Sequence, residues 1–368
     1  MNSRKFCRYF LIIILGYIAL NAILWHVYTL DTFALDAVHD KHGSFMRFSG
    51  IVIPNNNVGD PTYGRRHMEY KEYIQHVEKG DRPQVDVLTL GDSFSNGNGG
   101  AFYQDFLTRD SDLEILNIPC MPDQSGLSML YILDSIGYLD EICPKVVIVE
   151  SIERFIGGRF VTSLDPSRIM IDEKMFRSYY KTEHKGKEEE IAGKLLPGVM
   201  MKANWDVLSH YVYRATHENV CSQKVSYRML DRDLFTSRGY ENKLLFFQSE
   251  METGKLTAQK EKINDNFNKV AEHLAQKGIT VIFMPAVDKY DLYYDEIANH
   301  EGLQRNSLLE ELEAMPKSYV FVNGKTFLKQ AVADGEKDLY WTDDDHWTWK
   351  GAEVVARGIL PLVKKYAQ

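Results

Sequence analysis

Three short apolar runs constrain this chain most: Val87-Leu-Thr-Leu90, Val146-Val-Ile-Val149 and Ile279-Thr-Val-Ile-Phe-Met284. None shows the apolar–polar alternation of a strand with one wet face. Continuous runs of this length mark strands buried on both sides, as in a parallel sheet. Leu113-Glu-Ile-Leu-Asn-Ile118 and Tyr319-Val-Phe-Val322 are further short strand candidates. Between them, Leu127 to Ile142 carries apolar residues at helical spacing, and an amphipathic helix runs from about Thr257 to Gln276, stopped by Lys277-Gly278. Helices follow near 307–315, 325–333 and 349–366. Strands alternating with helices predict an α/β fold, a three-layer α/β/α sandwich on a mainly parallel sheet.

The amino terminus is of another kind. Arg4, Lys5 and Arg8 precede a run from Tyr9 to Trp25, and no charged residue intervenes before Asp31 if His26 is neutral. About twenty uncharged, mostly apolar residues suffice to cross a hydrocarbon core. The basic residues ahead of the run predict a cytoplasmic amino terminus and an exported body. The run is longer than a signal-peptide core and no small-x-small cleavage site follows, so it reads as a retained single-pass anchor. The expected organisation is a tail over 1–8, an anchor over 9–30, a stalk over 31–84 and the main α/β domain over 85–368. Pro54-Asn-Asn-Asn57 and Gly59-Asp-Pro61 mark turns in the stalk. From about 157 to 244 the α/β rhythm breaks in a stretch rich in Tyr, Met and charge, which reads as an insertion at one edge: a cap over the site, or a solvated excursion.

A net charge of −9 and the lack of a basic stripe argue against a nucleic-acid partner. The four cysteines, Cys7, Cys120, Cys143 and Cys221, are scattered and form neither a disulfide framework nor a metal-ligand pattern. No cofactor and no metal are expected.

The first apolar run ends at Gly91-Asp92-Ser93, before a glycine-dense turn and the helix-compatible Ala101–Leu107. A serine at the carboxyl end of a parallel strand lies where open α/β sheets bind ligands. On its own it serves equally well as a helix cap. The second half of the argument is Thr342-Asp-Asp-Asp-His-Trp347. A serine nucleophile needs a base, and the base needs a carboxylate to fix its tautomer. Of the eleven histidines, His346 alone sits in so dense an acidic cluster, with Asp343 and Asp344 three and two positions upstream.

Gly91-Asp92-Ser93 near the start of the fold and Asp343-x-x-His346 near its end resemble the first and last blocks of the SGNH (GDSL) hydrolase superfamily. Glu150-x-x-x-Arg154, Pro285-x-x-Asp-Lys-Tyr290 and Asp344-x-His346-Trp347 followed by Gly351-Ala352 resemble its membrane-anchored O-acyltransferase branch, the alginate O-acetyltransferase accessory proteins and the D-alanyl-transfer partner of teichoic acids. The usual superfamily order of the blocks favours Asp343 as the third triad member; the alginate relatives' spacing points to Asp344. The superfamily's Asn block is not evident.

The resemblance implies an SGNH-hydrolase, flavodoxin-like fold and ping-pong acyl transfer through Ser93, His346 and one aspartate. It implies oxyanion donors at the amides of Ser93 and Gly126, and substrate contacts from Arg154, Lys289 and Trp347, with Trp341 and Trp349 nearby. For Arg154 an ion pair with Glu150 or Glu153 is the competing role, for Lys289 a solvated loop lysine, and for Trp347 core or loop packing. Implied partners are a polysaccharide acceptor and a multi-spanning membrane O-acyltransferase as acyl donor, with the anchor in the inner membrane and the domain in the periplasm. An anchored esterase or deacetylase shares every site residue, and a non-catalytic scaffold of a polysaccharide assembly complex is the reading from another class.

Overall fold

The computed structural model describes residues 3–29, 43–49, 53–54, 56–62, 64–97, 100–162, 171–181 and 197–368. Helix α1 (Ser3–Leu24) is the apolar amino-terminal run, and it extends as a π-turn over Trp25–Thr29. The remainder is built on six parallel strands: β1 (Met68–Glu69), β2 (Val87–Leu90), β3 (Ile115–Asn117), β4 (Val146–Ile152), β7 (Thr280–Ala286) and β8 (Val320–Phe321). Their order in the sheet is β1-β3-β2-β4-β7-β8. The chain leaves β2 for β3 on one side and returns to β4 on the other. That reversal is a topological switch point, with its crevice at the strands' carboxyl ends. β2 and β4 are buried at every position, as their unbroken apolar runs require.

Helices cover both sheet faces. α3 (Tyr103–Arg109), α7 (Gly324–Ala333) and α8 (Trp349–Ala367) pack together, and Arg109 of α3 donates to Glu353 of α8 at 2.7 Å. α4 (Gly126–Ser135) lies on β4 and α6 (Lys260–Ala275) on β7. Asp134 of α4 links them through His273 (2.8 Å) and Lys277 (2.5 Å). The expected α/β/α architecture with its parallel sheet is what the chain forms.

Several boundaries differ from expectation. The helical pattern of 127–142 is split into Gly126–Ser135 and Tyr138–Ile142, because Gly137 between them adopts φ 76°, outside helical space. The amphipathic segment 257–276 begins in a 3₁₀ stretch that ends at Gln259, and becomes α-helical at Lys260.

The described part of the expected stalk is no stalk. β1 pairs in parallel with β3 at the sheet edge, and α2 (Tyr70–Glu78) buries Tyr70, Tyr73 and Ile74. Asn56 accepts a hydrogen bond from the amide of Thr342 at 2.8 Å. The domain therefore draws on residues well before Val85. Tyr70 and Tyr73 are large apolar surfaces, and leaving either exposed would forfeit about 1.5–3 kcal/mol. Residues 30–42 of the anchor end and stalk lie outside the described residues, as do 163–170 and 182–196 of the expected insertion. The insertion's described part holds α5 (Pro197–Thr216), while β5 (Val225–Met229) and β6 (Lys243–Phe247) pair as an antiparallel hairpin.

Candidate active site

Ser93 follows β2 directly, in a turn whose geometry is set by a buried acidic pair. Asp92 accepts from the amide of Phe94 (3.1 Å), from the amide of Ile152 at the end of β4 (2.9 Å) and from Arg159. Glu150 accepts from the amide of Asp92 (3.0 Å) and the hydroxyl of Ser95 (2.8 Å). A Cβ on residue 91 would come within 2.3 Å of the Glu150 carboxylate, so only glycine admits this approach. Burial and the neighbouring Asp92 push Glu150 well above the ordinary carboxylate range. Asp92 moves the other way: burial opposes its charge, but Arg159 and the two amides hold it below its usual value. Two adjacent carboxyls so separated share a site without mutual repulsion, one protonated and one charged.

His346 comes from the far end of the chain on a closed loop. Tyr340 and Trp347 form an antiparallel bridge, the Trp341 amide donates to the His346 carbonyl (3.1 Å), and that of Thr348 to the Leu339 carbonyl (2.9 Å). The Thr348 side chain caps α8 by accepting from the Lys350 amide. His346 Nε2 lies 2.7 Å from Ser93 Oγ, and Nδ1 lies 2.7 Å from Asp344 Oδ1. Burial disfavours the imidazolium, but the charge of Asp344 outweighs it and raises His346 to about 9. Asp344 is held well below the carboxylate range, because His346 and its other hydrogen bonds outweigh its burial.

The carboxylate that bonds the imidazole is Asp344 and not Asp343, which the usual block order favoured. Asp344 also accepts from the amides of Gly43 (3.1 Å) and Ser44 (3.2 Å) and from the Ser44 hydroxyl (3.0 Å). The two amides hold Oδ2, which leaves Oδ1, where the Ser44 hydroxyl also donates, to face the imidazole. Asp343 Oδ1 is buried without a partner among the described residues, and burial beside Asp344 pushes that carboxyl up to about 7. Its main-chain carbonyl receives the Phe45 amide at 3.0 Å.

Of the three candidate substrate contacts, Lys289 and Trp347 are buried and Arg154 is largely so, all in the frame of the site. Arg154 donates to Asp288 (3.1 Å) and to Asp345, and lies over the rings of Phe155 and Phe247. It pairs with neither Glu150 nor Glu153 and braces the His346 loop through Asp345. Lys289 is fully buried and donates to the main-chain carbonyls of Trp341 (2.5 Å), Thr342 (3.0 Å) and Asp344 (3.1 Å). Burial lowers it to about 8 against the pull of Glu250 and the loop aspartates. Trp347 is buried edge-on to Phe94, centroids 4.7 Å apart, and supports the Ser93 turn from below. Trp349 donates its indole N–H to the carbonyls of Val58 and Gly59, each at 3.0 Å.

Ser93 opens into a pocket of about 340 Å³ whose walls include Asn96, Met121, Gln124, Gly126 and Arg159. The Gly126 amide lies in the first turn of α4, where N–H groups lack intrahelical acceptors, and Ser125 caps that turn through the Ser128 amide (3.1 Å). Asn96 and Arg159 were not singled out in the sequence. Asn96 reaches the pocket because the turn winds back on itself, its amide donating to the Asp92 carbonyl at 3.1 Å. Among the described residues its side-chain nitrogen makes only a long 3.4 Å contact, to the Gly91 carbonyl. Arg159 sits at the start of the expected insertion and binds Asp92 and Ser151.

The ligand atoms of Asp344, Asp345 and His346 lie within 4.8 Å of one another, close enough to hold a metal ion. Both imidazole nitrogens, however, are already engaged by Ser93 and Asp344, and Asp345 by Arg154 and Ser44. This donor set is spent on protein contacts.

Fold and site define a parallel α/β domain with a hydroxyl, an imidazole and a carboxylate in series at the strand ends, the arrangement that activates a serine. Residues 241–367 match the family described as SGNH hydrolase-like domain, acetyltransferase AlgX. Over that stretch, which includes Lys289 and the His346 loop but not Ser93, the chain resembles this family. No curated protein sequence matches the chain. Among solved structures, a candidate acylhydrolase from Bacteroides fragilis aligns over 81% of this chain and 97% of its own, at 11% identity and a TM-score of 0.33, too loose a likeness to carry an argument.

Proposed function

We propose that this protein is an extracytoplasmic O-acyltransferase that moves a short acyl group, acetyl in the first instance, onto a hydroxyl of a polysaccharide by way of a Ser93 acyl-enzyme. The observation that carries the reading is the unbroken series Ser93 Oγ, His346 and Asp344, with 2.7 Å at each link. The family match to an acetyltransferase domain supports the class of reaction.

In this mechanism neutral His346 takes the Ser93 proton at Nε2 as Oγ attacks the donor's carbonyl carbon. The oxyanion so formed is met by the amides of Ser93 and Gly126, with the Asn96 side chain available as a third donor. Removing one such donor typically costs about 10²–10³ in rate. Collapse breaks the bond to the donor's leaving group, which takes the proton back from His346. A sugar hydroxyl then gives its proton to His346 and attacks the acyl carbon, and Ser93 leaves with that proton. Asp344 holds the imidazole with Nδ1–H toward itself throughout. A pocket of about 340 Å³ with polar walls suits a small acyl group and leaves its mouth open to an acceptor.

Helix α1 is apolar enough over Arg4–Val27 for a membrane span or a signal sequence. In the proposed reading it is a retained inner-membrane anchor with the domain in the periplasm, and a multi-spanning membrane acyltransferase supplies the acyl group. Purified protein should release nitrophenol from nitrophenyl acetate, and an added soluble oligosaccharide should divert acetyl from water to sugar. Turnover unchanged in Ser93→Ala would sink the acyl-enzyme. Free acetate alone across several glycans would make the protein an anchored esterase instead.

A further inference from the structure

Helix α5 (Pro197–Thr216) belongs to the insertion and to no layer of the sheet domain, yet it packs against α1 and the π-turn that extends it. The contact is specific. Asn204 is only 3% exposed, and its side-chain N–H₂ donates to the Asn21 carbonyl at 2.8 Å and to the Asn21 side-chain oxygen at 3.2 Å. The apolar span runs from Arg4 to Val27, so Asn21 lies about 9 Å inside its outer end at 1.5 Å per residue. At that depth an amide without a partner is costly, and a hydrogen bond between helices is the usual remedy.

Depth at one residue fixes the depth of its neighbours. If Asn21 is in the hydrocarbon, Asn204 is too, and so are the residues within a turn of it. Met201, Trp205, Leu208 and Val212, spaced at four, three and four residues, form one stripe along α5. All four are exposed, Trp205 at 69%. Of the charges off this stripe, Lys202 and Asp206 pair at 2.6 Å and Arg214 lies over the Tyr211 ring. An apolar stripe led by tryptophan, beside a polar flank, is the pattern of a helix lying in a membrane interface.

We infer that α5 is a second membrane-embedded element, clasped to the anchor by the Asn21–Asn204 pair with its Met201-Trp205-Leu208-Val212 stripe in the acyl chains of the outer leaflet. The inference rests on the anchor half of the reading above and not on the chemistry. It holds the catalytic domain against the bilayer by two contacts instead of one.

The test uses the full chain reconstituted in phosphatidylcholine nanodiscs, with and without lipids brominated on the acyl chain. Tryptophan emission is compared between the wild type and Trp205→Phe, an exposed position whose change leaves packing intact. The difference signal, that of Trp205, should be quenched severalfold more by brominated lipid than by aqueous acrylamide. The reverse ranking would overturn the inference and leave the stripe as a surface for a protein partner. The intact mass of the membrane-extracted chain separates the two readings. Loss of the first thirty or so residues removes Asn21 and overturns the inference through the anchor, whereas an intact chain with a water-quenched Trp205 overturns the lipid contact alone.

Discussion

Ser44 donates both its amide (3.2 Å) and its hydroxyl (3.0 Å) to Asp344, 300 residues away in the chain. The same hydroxyl reaches Asp345 at 2.8 Å. A segment expected to be a tether thus orients the carboxylate behind His346. Ser44→Ala removes a hydrogen bond to buried charge, a loss of about 1.5–3 kcal/mol. Thermal denaturation should register it, and ester turnover should fall about tenfold as Asp344 gains freedom. Unchanged stability and turnover would mean that the segment does not support the site.

The two neighbouring aspartates should behave very differently. Asp344 bonds His346 Nδ1 at 2.7 Å, whereas the buried Asp343 Oδ1 bonds no described residue. Asp344→Asn keeps the shape but presents the wrong partner to the imidazole, a change that costs on the order of 10⁴ in kcat. Asp343→Asn should stay within about tenfold of wild type, because it removes a carboxyl that touches no reacting group. Steady-state hydrolysis of nitrophenyl acetate by both variants decides between them; the opposite ranking would return the role to Asp343.

Much of this was legible in the sequence, for identifiable reasons. Buried parallel strands require continuous apolar runs, so β2, β4 and β7 announce themselves, and Ser93 stands out at the end of the first. His346 stands out by the density of acid around it. The choice between Asp343 and Asp344 was not legible, because Gly43 and Ser44, remote in the chain, set which carboxylate faces the ring. Arg154, Lys289 and Trp347 were candidate substrate contacts because all three belong to the motifs that carry the resemblance. Only tertiary packing decides that such side chains turn inward. Likewise β1, two residues long, carries no pattern that periodicity can detect.

Lys289 tests the inward turn. Its ammonium holds three main-chain carbonyls of the 341–344 segment, so it positions the loop and touches no reacting atom. Lys289→Met leaves those carbonyls buried and unpaired, at about 1–3 kcal/mol each. Unfolding should come at a markedly lower temperature, and in the protein that remains folded kcat should fall while KM for a small ester holds. A rise in KM with kcat and stability intact would restore Lys289 to the substrate.

The pH dependence follows from His346, raised from 6.5 to about 9 by Asp344 despite its burial. The imidazolium cannot accept the Ser93 proton, so turnover should climb with pH on a limb lying above 6.5 and extending toward 9. Stability should run the other way. A group whose pKa is higher in the folded than in the unfolded chain stabilises fully below its unfolded value and loses that contribution as pH rises through the folded one. The His346–Asp344 pair therefore strengthens the fold at neutral pH, and its contribution fades as pH approaches and passes about 9. Melting temperatures of wild type and Asp344→Asn, measured across this range, should differ most at neutral pH and converge in alkali. A constant gap, or an activity limb near the ordinary histidine value, would show that Asp344 does not hold a proton on His346.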